Sequence, residues 1–341
     1  MDSITQIALG SAVGYAVLGN KVGKRAMIYG AVMGTLPDLD VLLSYNNSIE
    51  AFTYHRSFSH SLLTQLLITP FITWLLMKFD RKTASYRIKC AIMVYLCLST
   101  HALLDSFTVY GTQLLWPLTE YPFGVSNLFI IDPLYTLPLL LGLTGACVFF
   151  KKAAISMKSN TLGLVISSIY IAWSLVAKVY IDQKVESALH AKSIEYEKFL
   201  STPAPFTTLL WRIVVMQNDQ YYEGYASIFD ASNEVSFTPY KSDINSVKSI
   251  QDSWEVARLI WFTKGYYKIH AINNTLVLSD LRMGIECSYV FNFEIGAYAN
   301  NAWQLGSYER YSERPDISKL GLIFTRVIDP SVSLAPPIDC Q

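Results

Sequence analysis

Long apolar runs fill the first half of this 341-residue chain and restrict it to an integral membrane protein. Apolar residues make up 52% of the sequence and charged residues 16%, and the mean hydropathy is +0.28, which is too apolar for a soluble protein of this length. A helix that crosses a bilayer needs about 20 apolar residues. We predict six spans, at 4–19, 26–43, 61–78, 89–109, 133–150 and 161–181.

A second domain is predicted beyond residue 181, where polar and aromatic residues alternate. Residues 182–200 have the composition of a charged helix that leaves the membrane. After the proline-containing break STPAPF, the β-favouring residues Tyr, Phe, Trp, Val and Ile are enriched. Strands are expected within 207–217, 221–230, 256–271, 275–284 and 289–298.

The predicted fold is therefore an α-helical integral membrane domain of about six spans over 1–181, with a connecting helix over 182–200. A small extracytoplasmic α+β domain with an antiparallel sheet follows over 201–341. Within the first two spans, glycines at a four-residue spacing would let two helix backbones approach closely in lipid. They are Gly10, Gly14, Gly30 and Gly34.

Lysine and arginine concentrate in alternate loops between the predicted spans, which sets the orientation of the chain. By the positive-inside rule these loops are cytoplasmic, so we expect both termini to be extracytoplasmic in a multi-pass protein of the bacterial inner membrane. The basic residues are Lys21, Lys24, Arg25, Lys78, Arg81, Lys82, Arg87, Lys89, Lys151, Lys152 and Lys158. Cys287 and Cys340 could pair only if the second half lies outside the cytoplasm.

The overall charge gives no basic field for nucleic acid, because 27 basic residues balance 27 acidic ones. The lipid bilayer is the partner that the composition implies.

Candidate metal ligands from separate motifs converge on the outer face of this predicted membrane domain. The orientation was derived from lysine and arginine alone, so the convergence is independent of it. Imidazole nitrogen with carboxylate oxygen is the ligand set of zinc, with manganese or iron as alternatives. Ionisable groups at membrane depth are costly unless they pair or bind something. The candidates are Asp38 and Asp40 in GTLPDLD, His55 and His60 in HRSFSHS, and His101 and Asp105 in LSTHALLDSF.

Plainer interpretations of these residues remain open at this point. The loop histidines could be solvated or structural, and His101 with Asp105, one helical turn apart, could be a self-neutralising pair. The PDLD run is also typical of a helix end followed by a turn. Arg56 is either an interface anchor or the cation that binds an anionic substrate group.

Five segments in this order resemble the YdjM-like family of membrane-bound metal-dependent hydrolases, described as LexA-binding and inner-membrane-associated. The segments are MDSITQIALG, GTLPDLD, HRSFSHS, STHALLDSFTVYGTQLLWP and IDPLYTLP, within residues 1–145. The resemblance implies that the six ligand candidates above form a metal site. The chain departs from the family pattern at Gln6, where many members have histidine, and at Ser57, where glycine is usual.

The function expected from these residues is hydrolysis at the outer face by an inner-membrane, metal-dependent enzyme. A metal would activate water, with Asp40 as general base and Arg56 stabilising developing negative charge. A site at the bilayer edge favours an amphiphilic substrate such as a lipid or lipid-linked phosphate. Two alternatives belong to other classes: a metal or proton transporter, and a non-catalytic scaffold whose outer helix ends are stapled by a metal.

Overall fold

The structure, a computed structural model, describes residues 1–231, 235–313 and 320–335. It divides into two units. The first comprises Met1–Leu43 and His55–Leu175, and the second comprises Ser44–Tyr54 and Val176–Gln341.

Helices make up the first unit, together with two 3-10 segments and a long connection over 107–132 between two of the helices. The segments Leu36–Leu42 and Phe58–His60 are the 3-10 turns. The helices are α1 (Ser3–Val22), α2 (Arg25–Thr35), α4 (Leu62–Phe79), α5 (Arg81–Ala84), α6 (Arg87–Ser106), α7 (Pro133–Val148) and the start of α8 (Ala153–Ala191), while α3 (Ser48–Tyr54) belongs to the second unit.

Three helices of the described chain are long and apolar enough to cross a membrane: α4, α6 and α8. They correspond to the predicted spans 61–78, 89–109 and 161–181. Helix α7 is apolar but has only 16 residues. Helix α2 ends after 11 residues, because Pro37 follows and the chain tightens into a 3-10 turn. Six spans are therefore not confirmed, and the first unit is a helical region with three apolar candidate spans.

The glycines of α1 and α2 lie where the two helix backbones meet. A Cβ built on Gly10 would lie 2.3 Å from the carbonyl oxygen of Gly30, and one on Gly14 would lie 2.5 Å from that of Ala26. Only glycine permits this approach, since any larger side chain would separate the helices. The spacing noted in the sequence thus marks a helix contact.

Two antiparallel sheets form the second unit. One has the order β1–β2–β3–β4, and the other has the order β5–β6–β7–β8 with β9 paired to β7. The strands are β1 (Lys198–Pro203), β2 (Leu210–Gln217), β3 (Gln220–Ser227), β4 (Phe237–Lys241), β5 (Tyr267–Ile272), β6 (Thr275–Asp280), β7 (Asn292–Ala299), β8 (Ala302–Leu305) and β9 (Arg310–Tyr311), with helices α9 (Ile244–Val247), α10 (Trp254–Phe262) and α11 (Leu320–Ile328).

Strands β1, β4, β8 and β9 lie outside the predicted strands, and two predicted segments have a different structure. The strand expected over 256–271 is instead helix α10 followed by β5, because Ser253 caps the helix and its apolar residues Val256, Leu259 and Phe262 recur at helical spacing and are buried. The connecting helix expected over 182–200 is not separate: α8 continues to Ala191 without a helix-breaking residue, and β1 begins at Lys198.

Helix α3 supplies a core residue to the second unit. The Phe52 side chain is 1% exposed, and its ring centroid lies 4.7–5.0 Å from those of Phe262, Phe291 and Phe293. The short segment between the predicted ligands Asp40 and His55 therefore folds with the second unit.

Candidate metal centre

Two carboxylates and two imidazoles meet inside the first unit. One ligand atom from each of Asp38, His60, His101 and Asp105 lies within 4.8 Å of all the others. The 3-10 segment after Pro37 positions Asp38, the 3-10 turn before α4 ends at His60, and α6 presents its two residues one helical turn apart. Three motifs distant in sequence thus supply one cluster.

The spacing of the four ligand atoms fits a small divalent cation. The two Nε2 atoms of His60 and His101 are 3.1 Å apart, and they lie 3.5 and 3.4 Å from Asp38 Oδ1. Their distances to Asp105 Oδ2 are 3.4 and 3.8 Å. Four ligands placed tetrahedrally about 2.0 Å from a zinc ion would be separated by about 3.3 Å. The observed values lie around that figure.

Each histidine is held by its other ring nitrogen. His101 Nδ1 lies 2.7 Å from the Gly34 carbonyl oxygen, which can only accept, so Nδ1 donates and Nε2 keeps its lone pair. Ser59 Oγ donates to Asp40 Oδ2 at 2.7 Å and lies 2.8 Å from His60 Nδ1, which makes His60 Nδ1 the donor to Ser59. Partners of this kind are the ones that orient metal-binding histidines in proteins.

Asp105 is the most enclosed carboxylate of the group and is fully buried. Gln6 Nε2 donates to its Oδ1 at 2.8 Å, and the Met1 amino group lies against the same oxygen. Arg56 Nε lies 3.0 Å from Oδ2, but among the described residues no donor is aligned to hydrogen-bond this oxygen. A buried carboxylate oxygen that faces two imidazole nitrogens fits a metal ligand.

Asp40 and His55 lie beside the four-residue group. His55 Nδ1 is 2.8 Å from Asp40 Oδ1, and the second oxygen of Asp40 accepts from Ser59 Oγ and, at 3.0 Å, from the Arg56 backbone N–H. The side chain of His55 is 21% exposed, whereas that of Asp40 is 1% exposed. A buried aspartate thus orients a partly exposed histidine.

Arg56 connects the two parts of the site. Its backbone N–H binds Asp40, its guanidinium lies against Asp105, and Nη1 donates to Thr108 Oγ1 at 3.3 Å. Its φ of 63° is uncommon for a residue other than glycine. With 5% of its surface exposed, Arg56 lies within the site rather than at a membrane interface as an anchor would.

The carboxylates affect the protonation of His60. Burial disfavours the charged imidazole, but the carboxylates of Asp105 and Asp38 beside its Nε2 would bind the charged form, and they outweigh burial and raise the pKa of His60. A proton and a metal cation are therefore alternative ways to balance the same carboxylates.

The structure brings all six predicted ligands into one region and divides them into four that face each other and one Asp40–His55 pair. Two positioning groups were missed by the sequence reasoning. Ser59 could have been predicted as a hydrogen-bond partner of His60, because it is the adjacent residue and carries a hydroxyl. The Gly34 carbonyl could not, because every residue has a backbone carbonyl. Gln6, where the family pattern departs, contacts Asp105 through its amide nitrogen, and its Oε1 is buried without a hydrogen-bond partner among the described residues.

Comparisons with known proteins identify a family over the part of the chain that carries this site. The family model described as YdjM inner membrane protein matches residues 1–181. An uncharacterized protein of Bacillus subtilis, YfhP, is 24% identical over 308 residues, covering 80% of this chain and 90% of the relative. The inner membrane protein YbcI of Escherichia coli is 28% identical over 127 residues, 35% of this chain and 69% of the relative. No solved structure matches.

Proposed function

The chain belongs to the YdjM inner membrane protein family, and we propose that it is a metal-dependent hydrolase that acts at the outer face of the membrane on an amphiphilic or phosphate-ester substrate. The observation that carries the proposal is the pairing of a four-ligand cluster with a partly exposed histidine held by a buried aspartate. One part can bind a metal, and the other can move a proton.

The four facing residues would hold the metal. They are Asp38, His60, His101 and Asp105. The mixed nitrogen and oxygen donor set favours zinc, with manganese or iron as alternatives. When bound, the metal would supply Lewis-acid polarisation of the scissile bond and activation of water. Asp38 is the one ligand with appreciable exposure, at 25% of its side chain, so substrate would approach from its side.

Proton transfer is assigned to His55. Its Nδ1 is held by Asp40, which leaves Nε2 to accept or donate a proton at the reacting group. Asp40 itself is a poor general base here, since its two oxygens already accept from His55, Ser59 and the Arg56 backbone. The role first predicted for Asp40 therefore passes to its partner, and Asp40 orients it.

Arg56 has a balancing role in this proposal. Its guanidinium compensates the buried charge of Asp105. Because the side chain is buried, it would stabilise negative charge on the substrate through the site's overall field more than by direct contact.

The outer-face location is supported by two independent features. Basic residues cluster in alternate loops, and Cys287 in the second unit is disulfide-bonded, which is typical of an oxidising compartment. Cys340, the partner that the sequence offers, lies outside the described residues. A site at the edge of apolar helices favours a substrate with a lipid part and a phosphate ester.

A non-catalytic scaffold is the second candidate, and the closed shape of the cluster favours it. Four protein ligands are enough to complete a tetrahedral zinc site, and structural sites are closed in this way. In that case the metal would only join the 3-10 segments to α6. The partly exposed His55 would then have no role in chemistry.

Hydrolysis of lipid phosphoesters by detergent-purified, zinc-loaded protein tests the proposal. We expect chelator-sensitive turnover that falls at least 100-fold in His55→Gln, with its metal content retained, and is unchanged in His190→Gln, which alters an exposed histidine of the second unit. Turnover equal in wild type and His55→Gln would overturn the assignment of His55. Full metal occupancy without turnover, with a fall in thermal stability on chelation, would favour the scaffold.

A further inference from the structure

Helix α11 in the second unit is apolar except for one charged residue, and that residue is buried while several of its apolar side chains are exposed. Its charged residue, Arg326, is 3% exposed, whereas Leu322, Phe324 and Ile328 are 43%, 55% and 77% exposed. An amphipathic helix on a water-facing surface buries its apolar stripe and exposes its charges. The described outward face of α11 carries no charged residue.

A buried ion pair, together with the packing of Val327, fixes the orientation of α11. Arg326 Nη1 and Nη2 donate to the two carboxylate oxygens of Asp230 at 2.9 and 2.8 Å, and Nη2 also donates to the Tyr225 carbonyl oxygen at 3.2 Å. Ser227 Oγ donates to the backbone carbonyl of Val327 at 2.6 Å. Rotation of α11 to bury its apolar face would break these bonds and leave buried charges unpaired.

The same turn carries another exposed aromatic residue. Phe229 lies between Ser227 and Asp230 and is 63% exposed. Phe229 and the outward side chains of α11 therefore share one part of the second unit, and we call Phe229, Leu322, Phe324 and Ile328 the apolar patch. Exposed apolar side chains grouped on one part of a protein are typical of an interaction site.

Helix α8 connects this patch to exposed apolar residues of a candidate membrane span. Lys184 of α8 is buried, and its Nζ donates to the carbonyl oxygens of Ser227 and Asp230 at 2.8 and 2.7 Å. On α8, Val179 and Tyr180 are 58% and 49% exposed. They belong to a helix apolar enough to cross a membrane. Tyr180 precedes Lys184 by four residues, which is about 6 Å along the helix axis.

We propose that the apolar patch inserts into the bilayer interface, with α11 lying on the membrane beside the emerging end of α8. The proposed occupant is lipid, because Lys184 bonds to the turn that carries Phe229. Lys184 lies about one helical turn from the exposed apolar residues of α8. An uncharged face of aromatic and aliphatic residues is the kind that interfacial helices bury at the headgroup and acyl boundary. The patch would hold the second unit against the membrane surface.

Spin-label accessibility in proteoliposomes tests this proposal on the full chain. Phe324→Cys and Phe229→Cys would be labelled in a background with Cys90, Cys97 and Cys147, the free cysteines of the described chain, replaced by alanine. Val179→Cys is the lipid-facing reference. Leu305→Cys, at an exposed apolar residue of the other sheet, is the matched control.

We expect labels at 324 and 229 to collide preferentially with oxygen, as at 179, and the label at 305 to collide preferentially with a water-soluble nickel chelate. Preferential nickel collision at 324 would show that the patch faces water and would overturn the proposal. Low collision with both reagents at 324 would also overturn it, since protein would then cover the patch.

Discussion

His55 Nδ1 lies 2.8 Å from Asp40 Oδ1. From the sequence, both residues were predicted to be metal ligands, but in the structure they contact each other. The neighbouring His60 and His101 instead bring their Nε2 atoms to 3.1 Å. Histidines five residues apart in one motif therefore have different surroundings, which leads to different expectations for their variants.

Metal content should distinguish the two histidines of HRSFSHS. His60→Ala removes a ligand from the four-residue cluster, so we expect the purified protein to lose its stoichiometric metal. His55→Gln changes a side chain outside that cluster, so this variant should retain its metal. Mass spectrometry of detergent-purified variants, beside His190→Ala as control, makes the comparison. Loss of metal in both variants would show that His55 is a ligand.

Ser59 should affect metal affinity although it is not a ligand. Its hydroxyl joins Asp40 Oδ2 to His60 Nδ1, so Ser59→Ala removes the partner that orients the imidazole. We expect affinity for zinc to fall roughly 10- to 100-fold, measured by competition with a chromogenic chelator. Thr100→Ala, which removes a hydroxyl bonded within its own helix, is the control, and an equal effect there would contradict the role of Ser59.

Close packing of α1 and α2 should be sensitive to a single methyl group. In Gly10→Ala the new Cβ would lie 2.3 Å from the Gly30 carbonyl oxygen, and overpacking of this kind costs about 1–3 kcal/mol of the free energy of unfolding. Gly321→Ala, where nothing lies within 4 Å, is the matched control. Thermal unfolding in detergent should show a lower midpoint for Gly10→Ala alone, and equal midpoints would refute the contact.

Acid should destabilise the second unit through His270. Burial, and to a lesser extent Lys268, lower the pKa of His270 to about 4, below the value of about 6.5 for an unfolded chain. The unfolded state therefore binds a proton that the folded state does not, and stability falls as pH drops from about 6.5 to 4.

The size of this effect should be on the order of 1–3 kcal/mol between those pH values. Wild type and His270→Gln would be compared by fluorescence-detected unfolding at pH 7, 5.5 and 4.5. As pH falls, the free energy of unfolding should decrease more in wild type than in His270→Gln. A difference that stays constant across this range would show that His270 titrates normally.

The compartment of the second unit can be tested in living bacteria. A disulfide at Cys287 should protect that thiol from alkylation until a reductant is added. We also expect a phosphatase fused after residue 341 to be active, because that enzyme itself requires an oxidising compartment. A Cys287 thiol that is alkylated without reductant, together with an inactive fusion, would place this unit in the cytoplasm.

Much of the candidate site was predictable from sequence because its signals are local. The His101 and Asp105 pair shares a helix face by spacing alone, and Asp38 follows a helix-ending proline. The positive-inside rule predicts that these motifs lie on one side of the membrane. By contrast, the apolar residues of 256–271 were compatible with strand or helix, and tertiary packing of Val256, Leu259 and Phe262 selected the helix.

By itself the sequence determined a membrane protein with a second, sheet-containing domain and a group of six candidate ligands, because hydropathy, charge and residue chemistry belong to each residue. Only the tertiary structure decided that four of them face one another while Asp40 holds His55, and that Phe52 folds with the second unit. These outcomes depend on which ring nitrogen meets which oxygen, and on contacts between residues distant in the chain. Tertiary packing sets these distances, so they cannot be read from the order of residues in the sequence.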